Sequence, residues 1–426
     1  MEGKILIVYH NIGYPMPMTN RDMLYCFRDY SGHLVYYVNV AFGIPEYFKN
    51  IKFDLIVFHD LLLSKRSSPE RFNKIFEKCR SLKDASGYKI AIVQDEFIQT
   101  NLLNKFLINF DINHIFSAAD SGEWNKIYPD IDKSRVGFDT FLTGYINEKS
   151  LPTIEKLSKE IPQRTIDIGY RASYLKRYSL GSHGLLKGKI AEEFIGHAKD
   201  YDLRMDISIN PRDFIVGLDW YKFLLKSKYF LGTESGSSIL DADGKIQRCV
   251  EEYLMRHPRA TFEETEKVCF RGLDGNLRLF AIGPRHFEAC MTKTCQILVE
   301  GEYNGILKPW LHYIPVKKDF SNVDEVLKIV KEDKLRHEIV EKAYKDIVES
   351  GKYTYGAFVE NAFTKALGRN HQWLDISTND LMVYNKNLKR ERLIWRYVRI
   401  ESFIAPIIIK LLPKKIYKMI RSIIRQ

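Results

Sequence analysis

The chain has 426 residues, of which 45% are hydrophobic and 28% charged, a composition of ordinary globular proteins that excludes wholesale disorder. Its length predicts two or three domains. No apolar run reaches the roughly 20 residues that span a bilayer, and the N-terminus lacks the apolar core of a secretion signal, so neither feature is expected. The net charge of +11 is concentrated between Lys386 and Gln426, where twelve Lys/Arg face only two Glu.

The first 150 residues alternate short apolar runs, rich in β-branched residues, with longer amphipathic stretches. This alternation predicts βαβ units around a parallel sheet. The predicted strands are Lys4–His10, His33–Val40, Phe53–Asp60, Tyr88–Gln94 and His114–Ala118. The predicted helices are Asn20–Tyr30, Pro69–Leu82 and Thr100–Asn109.

A polar segment over residues 147–163 predicts a linker with a short helix, after which a second alternation begins. Its predicted strands are Thr165–Gly169, Arg204–Ile209, Lys228–Gly232, Cys295–Val299 and His312–Val316. Its predicted helices are Lys187–Lys199, Leu218–Lys226, Gln247–His257, Arg285–Thr292, Val323–Lys331, Lys334–Ser350 and Tyr355–Leu367. The sequence therefore predicts an α/β protein with two Rossmann-like lobes that face a ligand-binding cleft.

The predicted domain boundaries follow from this alternation. They are an N-terminal lobe over 1–150, a linker over 151–164, a C-terminal lobe over 165–352, helices that return to the first lobe over 353–380, and a tail over 381–426.

The six cysteines form no Cys-x-x-Cys pair and lie in apolar segments, which predicts buried, reduced thiols in a cytoplasmic protein. No Cys/His cluster has the spacing of zinc ligands, so no metal site is expected. Asp241-Ala-Asp243 matches a metal-binding Asp-x-Asp motif, but a lone match of three residues is more often a turn.

Two loops of the second lobe follow predicted strands and carry candidate ligand-binding residues. Residues 181–189 lack the glycine and the Ser/Thr of a phosphate-binding loop of NTPases, and no Gly-x-Gly-x-x-Gly follows a strand, so NTP hydrolysis and ordinary dinucleotide binding are disfavoured. The first loop still predicts an anion site before a helix at about Lys187, with Arg171, Lys176 and His183 around it. An ordinary strand–helix connection is the alternative. The second loop offers Glu234, Ser235, Gly236 and Ser237, small or acidic residues that let a ligand approach the backbone or serve only a turn.

Residues 283–322 read as a helix, a strand, an acidic loop and a second strand. This segment resembles the nucleotide-binding part of GT-B glycosyltransferases of the group-1 type, which act in bacterial surface-polysaccharide assembly. The resemblance implies that Glu288 binds the ribose of a nucleotide sugar, that Arg285 contacts its diphosphate and that Tyr303 lines the donor site. It covers about residues 1–370. Many retaining members carry another Glu eight residues before the one that corresponds to Glu288, and this chain has Phe280 at that position.

Such an enzyme, if inverting, needs a general base to take the proton of the acceptor hydroxyl. Asp95, which follows the fourth predicted strand, is the first candidate, and Glu96 and His59 are the next. His10 and Asp60 also stand at strand ends, and each of these residues could instead serve as a cap.

The basic tail is predicted to form amphipathic helices separated by Pro406 and Pro413. Leu393, Tyr397 and Ile400 fall on one helical face, and Trp395 lies nearby. Basic amphipathic helices of this kind are typical of proteins that lie on an anionic membrane, although a helix packed on the body or a nucleic-acid arm is the alternative.

The sequence therefore predicts a glycosyltransferase that moves a sugar from a nucleotide donor, UDP first, to a surface-polysaccharide or lipid-linked acceptor. It is expected at the inner face of the cytoplasmic membrane, without metal or other cofactor and without nucleic acid. A catalytically silent glycan- or nucleic-acid-binding protein and a nucleotide-sugar epimerase of the same fold are the alternatives.

Overall fold

The computed structural model describes residues 3–173, 178–197 and 201–411, with side chains through residue 404. The chain divides into two compact units. The first unit contains the chain up to Ser117, residues Tyr128–Thr140 and the segment from Val359 onward. The second unit contains Ala118–Ile127 and Phe141–Phe358.

The first unit is built on a six-stranded, wholly parallel sheet of order β2-β1-β3-β4-β5-β6. Its strands are β1 Lys4–Tyr9, β2 Leu34–Asn39, β3 Leu55–Phe58, β4 Tyr88–Val93, β5 His114–Ser117 and β6 Gly137–Thr140. Buried β-branched and aliphatic residues fill the first four strands, as the sequence predicted. The sixth strand, Gly-Phe-Asp-Thr, was not predicted because it is short and not fully buried.

The second unit holds a five-stranded parallel sheet of order β13-β12-β9-β7-β8 and a separate antiparallel pair, β10-β11. Its strands are β7 Ile166–Arg171, β8 Met205–Ser208, β9 Ser227–Gly232, β10 Ser235–Ser237, β11 Leu279–Ala281, β12 Cys295–Val299 and β13 Tyr313–Val316. Two parallel sheets interleaved with helices confirm the predicted α/β class.

Fifteen α-helices occur in the described residues. They are α1 Met18–Tyr30, α2 Asp60–Leu63, α3 Pro69–Cys79, α4 Thr100–Asn109, α5 Trp124–Ile127, α6 Leu151–Glu160, α7 Gly181–His197, α8 Leu218–Lys226, α9 Lys245–Arg256, α10 Phe262–Cys269, α11 Pro284–Met291, α12 Val323–Ile329, α13 Asp333–Ala343, α14 Tyr355–Leu367 and α15 Thr378–Leu411. Within these residues no helix combines the length and apolar character needed to cross a bilayer.

The first half of α15 is part of the first unit and not a free appendage. The side chain of Asn387 accepts a hydrogen bond from Tyr37 N (3.0 Å) and donates one to Tyr37 O (2.9 Å), so it occupies the open edge of β2. Buried Glu391 pairs with Arg28 at 2.6 Å. The helix runs through position 406, so the predicted break at Pro406 is wrong; a proline can be kept inside a long helix at the loss of one backbone hydrogen bond. The predicted helix beyond Pro413 lies outside the described residues.

Two of the six cysteines are not reduced thiols, contrary to the sequence-based prediction. Cys249 of α9 and Cys269 of α10 form a disulfide with their Cα atoms 5.5 Å apart. Cys26, Cys79, Cys290 and Cys295 are free and buried, as predicted. The disulfide borders an apolar cluster that joins α9 and α10 to the start of α7. The buried members of that cluster are Tyr178, Leu185, Ile239, Ile246, Val250 and Phe270.

Candidate functional site

The carboxyl ends of three neighbouring strands in the first unit carry titratable side chains. His10 follows β1, Asp60 follows β3 and Asp95 comes two residues after β4. The Asp60 carboxylate accepts a hydrogen bond from Gln94 N at 3.2 Å. Burial, and then repulsion from Asp95, raise the pKa of Asp60 to about 7. A carboxylate with such a pKa exchanges protons near neutral pH, as a general base must.

A buried arginine fixes the backbone of this edge. Arg66, whose side chain is fully buried, donates to the carbonyl oxygens of Leu63 (3.0 Å), Ile98 (3.0 Å) and Gln94 (2.7 Å), and also to that of Asp95. Asp95 itself has a left-handed backbone (φ 53°), a conformation that non-glycine residues adopt only under constraint. Arg66 therefore positions the loop that carries Asp95.

The three predicted catalytic residues differ in their exposure and in their contacts. The Asp95 side chain is exposed. Glu96 is fully buried, and its carboxylate accepts hydrogen bonds from Ser117 Oγ (2.5 Å) and from the Tyr128 hydroxyl. Buried His59 caps α2, where its Nδ1 accepts from Leu61 N at 3.1 Å. Glu96 and His59 thus have structural contacts. Asp60, which the sequence analysis ranked below them, joins Asp95 as a candidate.

In the second unit, Glu234 and Tyr303 stabilise one loop together. The Glu234 carboxylate accepts hydrogen bonds from Glu302 N (3.1 Å) and Tyr303 N (2.7 Å), and burial raises its pKa. The Tyr303 ring is fully buried, and its hydroxyl donates to Val299 O at 2.6 Å. Both predicted donor-binding residues therefore hold the 301–303 loop in place.

Helix α7 begins at Gly181, six residues before the predicted start, so the Gly-Ser-His-Gly run is its first turn and not a loop. The N-terminal end of α7 is capped by a residue that is distant in sequence. Asp274 Oδ1 accepts hydrogen bonds from Ser182 N (3.1 Å) and from Ser238 Oγ (2.6 Å). Because this carboxylate already occupies the helix end, the amide of Ser182 is not available to an anion. Lys176, predicted beside it, lies outside the described residues.

The β10-β11 pair contains three of the predicted loop residues. Ser237 Oγ donates to Ile239 O at 2.9 Å, a structural contact. Gly236 has φ +123°, and a Cβ there would overlap Leu279 O, so only glycine fits. The half-buried Ser235 lies beside the start of α11, since a Cβ on Gly283 would lie 3.2 Å from Ser235 Oγ.

His183 stacks face to face on Phe280 of β11, with ring centroids 3.9 Å apart. Phe280 stands where many retaining enzymes of the resembled family carry a Glu, eight residues before the position of Glu288. Burial, followed by the charges of Lys187 and Lys318, lowers the pKa of His183 to about 4, so its imidazole is neutral at pH 7. Its Nε2 is buried with no hydrogen-bond partner among the described residues. Lys318, which the sequence analysis did not single out, is exposed just after β13.

Arg285 is a mostly buried cation at the first turn of α11. Its guanidinium contacts Arg171 O and lies over the Trp220 ring, 4.9 Å from the centroid. No carboxylate of the described residues forms an ion pair with it, and burial lowers its pKa. No side chain caps this end of α11, where Pro284 carries no N–H and His286 N donates to Gly283 O at 3.1 Å. Arg285 is therefore placed to bind an anion.

Two other predicted donor-site residues are already engaged. Buried Glu288 accepts a hydrogen bond from Trp220 Nε1 at 2.6 Å. Arg171 pairs with Asp206 at 2.6 Å and lies over the Phe223 ring. In this geometry the charged groups of both side chains are engaged by neighbouring residues of the second unit.

The Asp241-Ala-Asp243 match is a helix cap. The Asp241 carboxylate accepts from Ile246 N (3.2 Å) and Gln247 N (2.8 Å), and Asp243 pairs with Lys245. Among the described residues, no group of three or more His, Cys, Asp or Glu side chains is arranged to hold a metal ion.

Comparisons with known proteins give one short sequence match and several distant structural ones. Over 37 residues, 8% of this chain, the sequence is 60% identical to protein O-glucosyltransferase 1 of Bos taurus and to that of Homo sapiens. The match spans only 9% of the length of each of these relatives. No protein-family model matches the chain.

Among solved structures, Anabaena HepE in complex with UDP-glucose is similar to 85% of this chain, over 99% of its own length, with a TM-score of 0.46 and 10% identity. The T4 phage β-glucosyltransferase with its UDP-glucose substrate is similar over the same shares, with a TM-score of 0.48 and 14% identity.

Proposed function

We propose that the chain is a glycosyltransferase of the GT-B type that uses a nucleoside-diphosphate sugar. The observation that carries the proposal is the set of cations in the second unit. Arg285 forms no ion pair with a carboxylate of the described residues, and Lys187 and Lys318 act on a neutral histidine whose buried Nε2 has no partner there. Departure of a nucleoside diphosphate from the sugar develops negative charge on its phosphates, and preorganised cations and helix amides stabilise that charge.

The reaction forms a bond between the acceptor oxygen and the anomeric carbon. The carbon–oxygen bond to the diphosphate breaks, and its electron pair leaves with the phosphate. The proton of the acceptor hydroxyl passes to a base. Asp60 is the base we propose, because a pKa of about 7 leaves part of the carboxyl ionised at neutral pH and makes that carboxylate more basic than an ordinary one.

Phe280 favours an inverting reaction over the retaining one. The acidic side chain that the resemblance would place here is replaced by a ring that stacks on His183. Phe280 also favours, as a second candidate, a silent protein that binds the nucleotide without turnover. Nucleotide binding in the absence of any sugar transfer would select that candidate.

We propose UDP-glucose as the donor to test first. The short match to protein O-glucosyltransferase 1 supports glucosyl transfer, and it adds a protein hydroxyl to the lipid-linked and surface-polysaccharide acceptors that the resemblance implies. Assays with each acceptor class, using radiolabelled UDP-glucose, would separate these substrates.

The donor site is tested by thermal shift with UDP, GDP, dTDP and CMP, with and without magnesium. A ligand at one hundred times its Kd stabilises the native state by about 2.7 kcal/mol, so one nucleotide should raise Tm selectively. The Arg285→Met variant should bind it about tenfold or more weakly, because a hydrogen bond to a charged group contributes about 1.5–3 kcal/mol. Arg256→Met, at an exposed position of α9, is the control. Equal binding by both variants would refute the donor site.

We also propose that α15 docks the protein on an anionic membrane. Four apolar side chains over residues 393–404 of this helix are exposed. They are Leu393 (62%), Ile400 (56%), Phe403 (63%) and Ile404 (44%), of which Ile400 and Ile404 lie seven and eleven residues after Leu393. Arg392, Arg396 and Arg399 are exposed on the same stretch of helix. An apolar stripe flanked by arginines matches the interior and headgroup charge of an anionic bilayer surface. Trp395 and Tyr397 do not contribute freely, since they contact Tyr25 and Phe42.

Sedimentation with vesicles tests this docking. Phosphatidylcholine vesicles containing phosphatidylglycerol should recruit the protein, whereas Ile400→Glu/Phe403→Glu should abolish recruitment. Met382→Glu, at an exposed apolar position near the start of the same helix, is the control. Recruitment that is insensitive to the paired substitution would refute the proposal. A location at the inner face of the membrane stays a prediction, and the redox state of Cys249 and Cys269 in cells tests it, because disulfides are rare in the reducing cytosol.

A further inference from the structure

A second group of cations lies in the first unit, at the carboxyl edge of its sheet. Lys65 belongs to the turn that follows α2, and Arg71 and Lys78 stand seven residues apart in the first and last turns of α3. All three act electrostatically on His10, directly after β1. Three cations therefore lie close enough to one imidazole to act on its charge, at the edge where parallel α/β sheets bind their ligands.

None of these cations forms an ion pair with a described residue, and Arg71 and Lys78 are exposed to solvent. Lys65 is half-buried, and among the described residues neither a hydrogen bond nor an ion pair involves its ammonium or the Arg71 guanidinium. Burial lowers the pKa of Lys65, and Arg71 lowers it further, while Asp60 opposes both. Lys78 donates only a long hydrogen bond, 3.5 Å, to Ala41 O. A desolvated ammonium without a partner is unfavourable unless an anion binds beside it.

His10 is the candidate hydrogen-bond donor of the site. Its side chain is only 8% exposed, and its Nδ1 is buried without a hydrogen-bond partner in the part of the chain that the structure describes. Burial and the three cations lower its pKa to about 4, so the ring is neutral and carries one N–H that can donate. A neutral donor among cations suits an oxyanion with several acceptor oxygens.

We infer that His10, Lys65, Arg71 and Lys78 bind a phosphoryl or diphosphoryl group of the acceptor. The identification of the ligand as the acceptor rests on the proposed function, whereas the anion site itself does not depend on it. A phosphoryl group, with its two negative charges and multiple acceptor oxygens, matches three cations and one N–H better than a single sugar carboxylate does. The neighbouring Asp60 and Asp95 would repel an anion placed closer to them, which orients the phosphate toward the α3 side of the edge.

The test follows the imidazole resonance of His10 in the full-length protein, assigned with the His10→Gln variant. The second unit is first saturated with UDP, so that it cannot take up the probe. Inorganic pyrophosphate should then shift the His10 resonance in a saturable manner. Arg71→Gln, at an exposed position, should weaken this binding about tenfold, and Lys65→Gln/Arg71→Gln should abolish it. Lys74→Gln, at an exposed lysine of the same helix, should behave as the wild type.

The outcomes separate this site from the donor site. UDP binding without a His10 shift would refute the phosphoryl site and leave the proposed function intact, whereas a His10 shift without UDP binding would do the reverse. An equal shift in the double variant, with UDP binding retained as the check on folding, would also refute the site. Vesicles carrying a polyprenyl diphosphate should shift His10 if the acceptor is lipid-linked. A shift with phosphatidylglycerol vesicles but not with pyrophosphate would refute the inference, because it would indicate a general membrane surface.

Discussion

Replacing Asp60 by asparagine should give the first unit a stability advantage over the wild type that grows as the pH rises. Asp60 has a pKa of about 7 in the folded protein against an ordinary value of 3.8. The wild type therefore loses stability from about pH 4 to pH 7, because over this range the carboxyl ionises in the unfolded chain while the buried one stays protonated. That pKa difference corresponds to about 4 kcal/mol, as an upper figure. The substituted amide keeps a side-chain oxygen for Gln94 N without the charge. The variant should therefore equal the wild type near pH 4 and exceed it by up to about 4 kcal/mol at pH 8.

Hydrogen exchange of the β3 and β4 amides between pH 4 and pH 8 measures this difference locally, which matters because two units need not unfold together. Asp130→Asn, at an exposed carboxylate of the same unit, is the control. The Asp60→Asn variant should also lose about 10²- to 10⁴-fold in sugar transfer if Asp60 is the general base. A stability difference that is flat across this pH range would refute the assignment of the raised pKa. Full transferase activity in Asp60→Asn would refute the base.

Three further predictions concern stability. Cys249→Ser/Cys269→Ser should destabilise the second unit by about 3 kcal/mol, the entropy of a closed loop of this length, measured by urea unfolding with and without reductant. Four buried histidines whose pKa is lowered to about 4 should make the protein lose stability as the pH falls from 6.5 towards 4, visible as a falling Tm; they are His10, His59, His183 and His286. Asn387→Leu should cost about 2–3 kcal/mol, because it leaves two backbone groups of β2 unpaired, and faster exchange of the Tyr37 amide would show it.

The periodic elements could be predicted from the sequence to within a few residues. The bounds of α4, α8, α14 and β12 agree with the prediction, because apolar periodicity and local turn residues decide them. The start of α7 could not be predicted, since the cap is Asp274, about ninety residues away. Helix α10 was missed although Thr261 and Glu264 form a capping box that the Thr-Phe-Glu-Glu sequence shows.

The site divides in the same way. The residues at strand ends could be predicted to share one edge because the carboxyl ends of parallel strands meet there, whereas Arg285 was predicted from the family resemblance. Arg66 carries no sequence signal, because its partners are backbone carbonyls brought together only by the fold. The pairing of Cys249 with Cys269 has none either, since cysteines separated by 20 residues in apolar segments read the same whether oxidised or free. Glu234 and Tyr303 were predicted to bind the donor, and in the fold they hold the 301–303 loop, a contact that the sequence does not indicate.

The contact between Asn387 and β2 has a consequence for solubility. The Leu-Val-Tyr-Tyr-Val-Asn strand is the outermost of its sheet, rich in β-branched and aromatic residues, and without net charge. Such a strand, left uncovered, is a template on which another chain can add its own strand. Expressing the protein without residues 378–426, in order to discard its basic end, would expose that template and favour fibrous or amorphous aggregates. A shortened form that ends after Val398 keeps Asn387 on β2 and therefore keeps the cover.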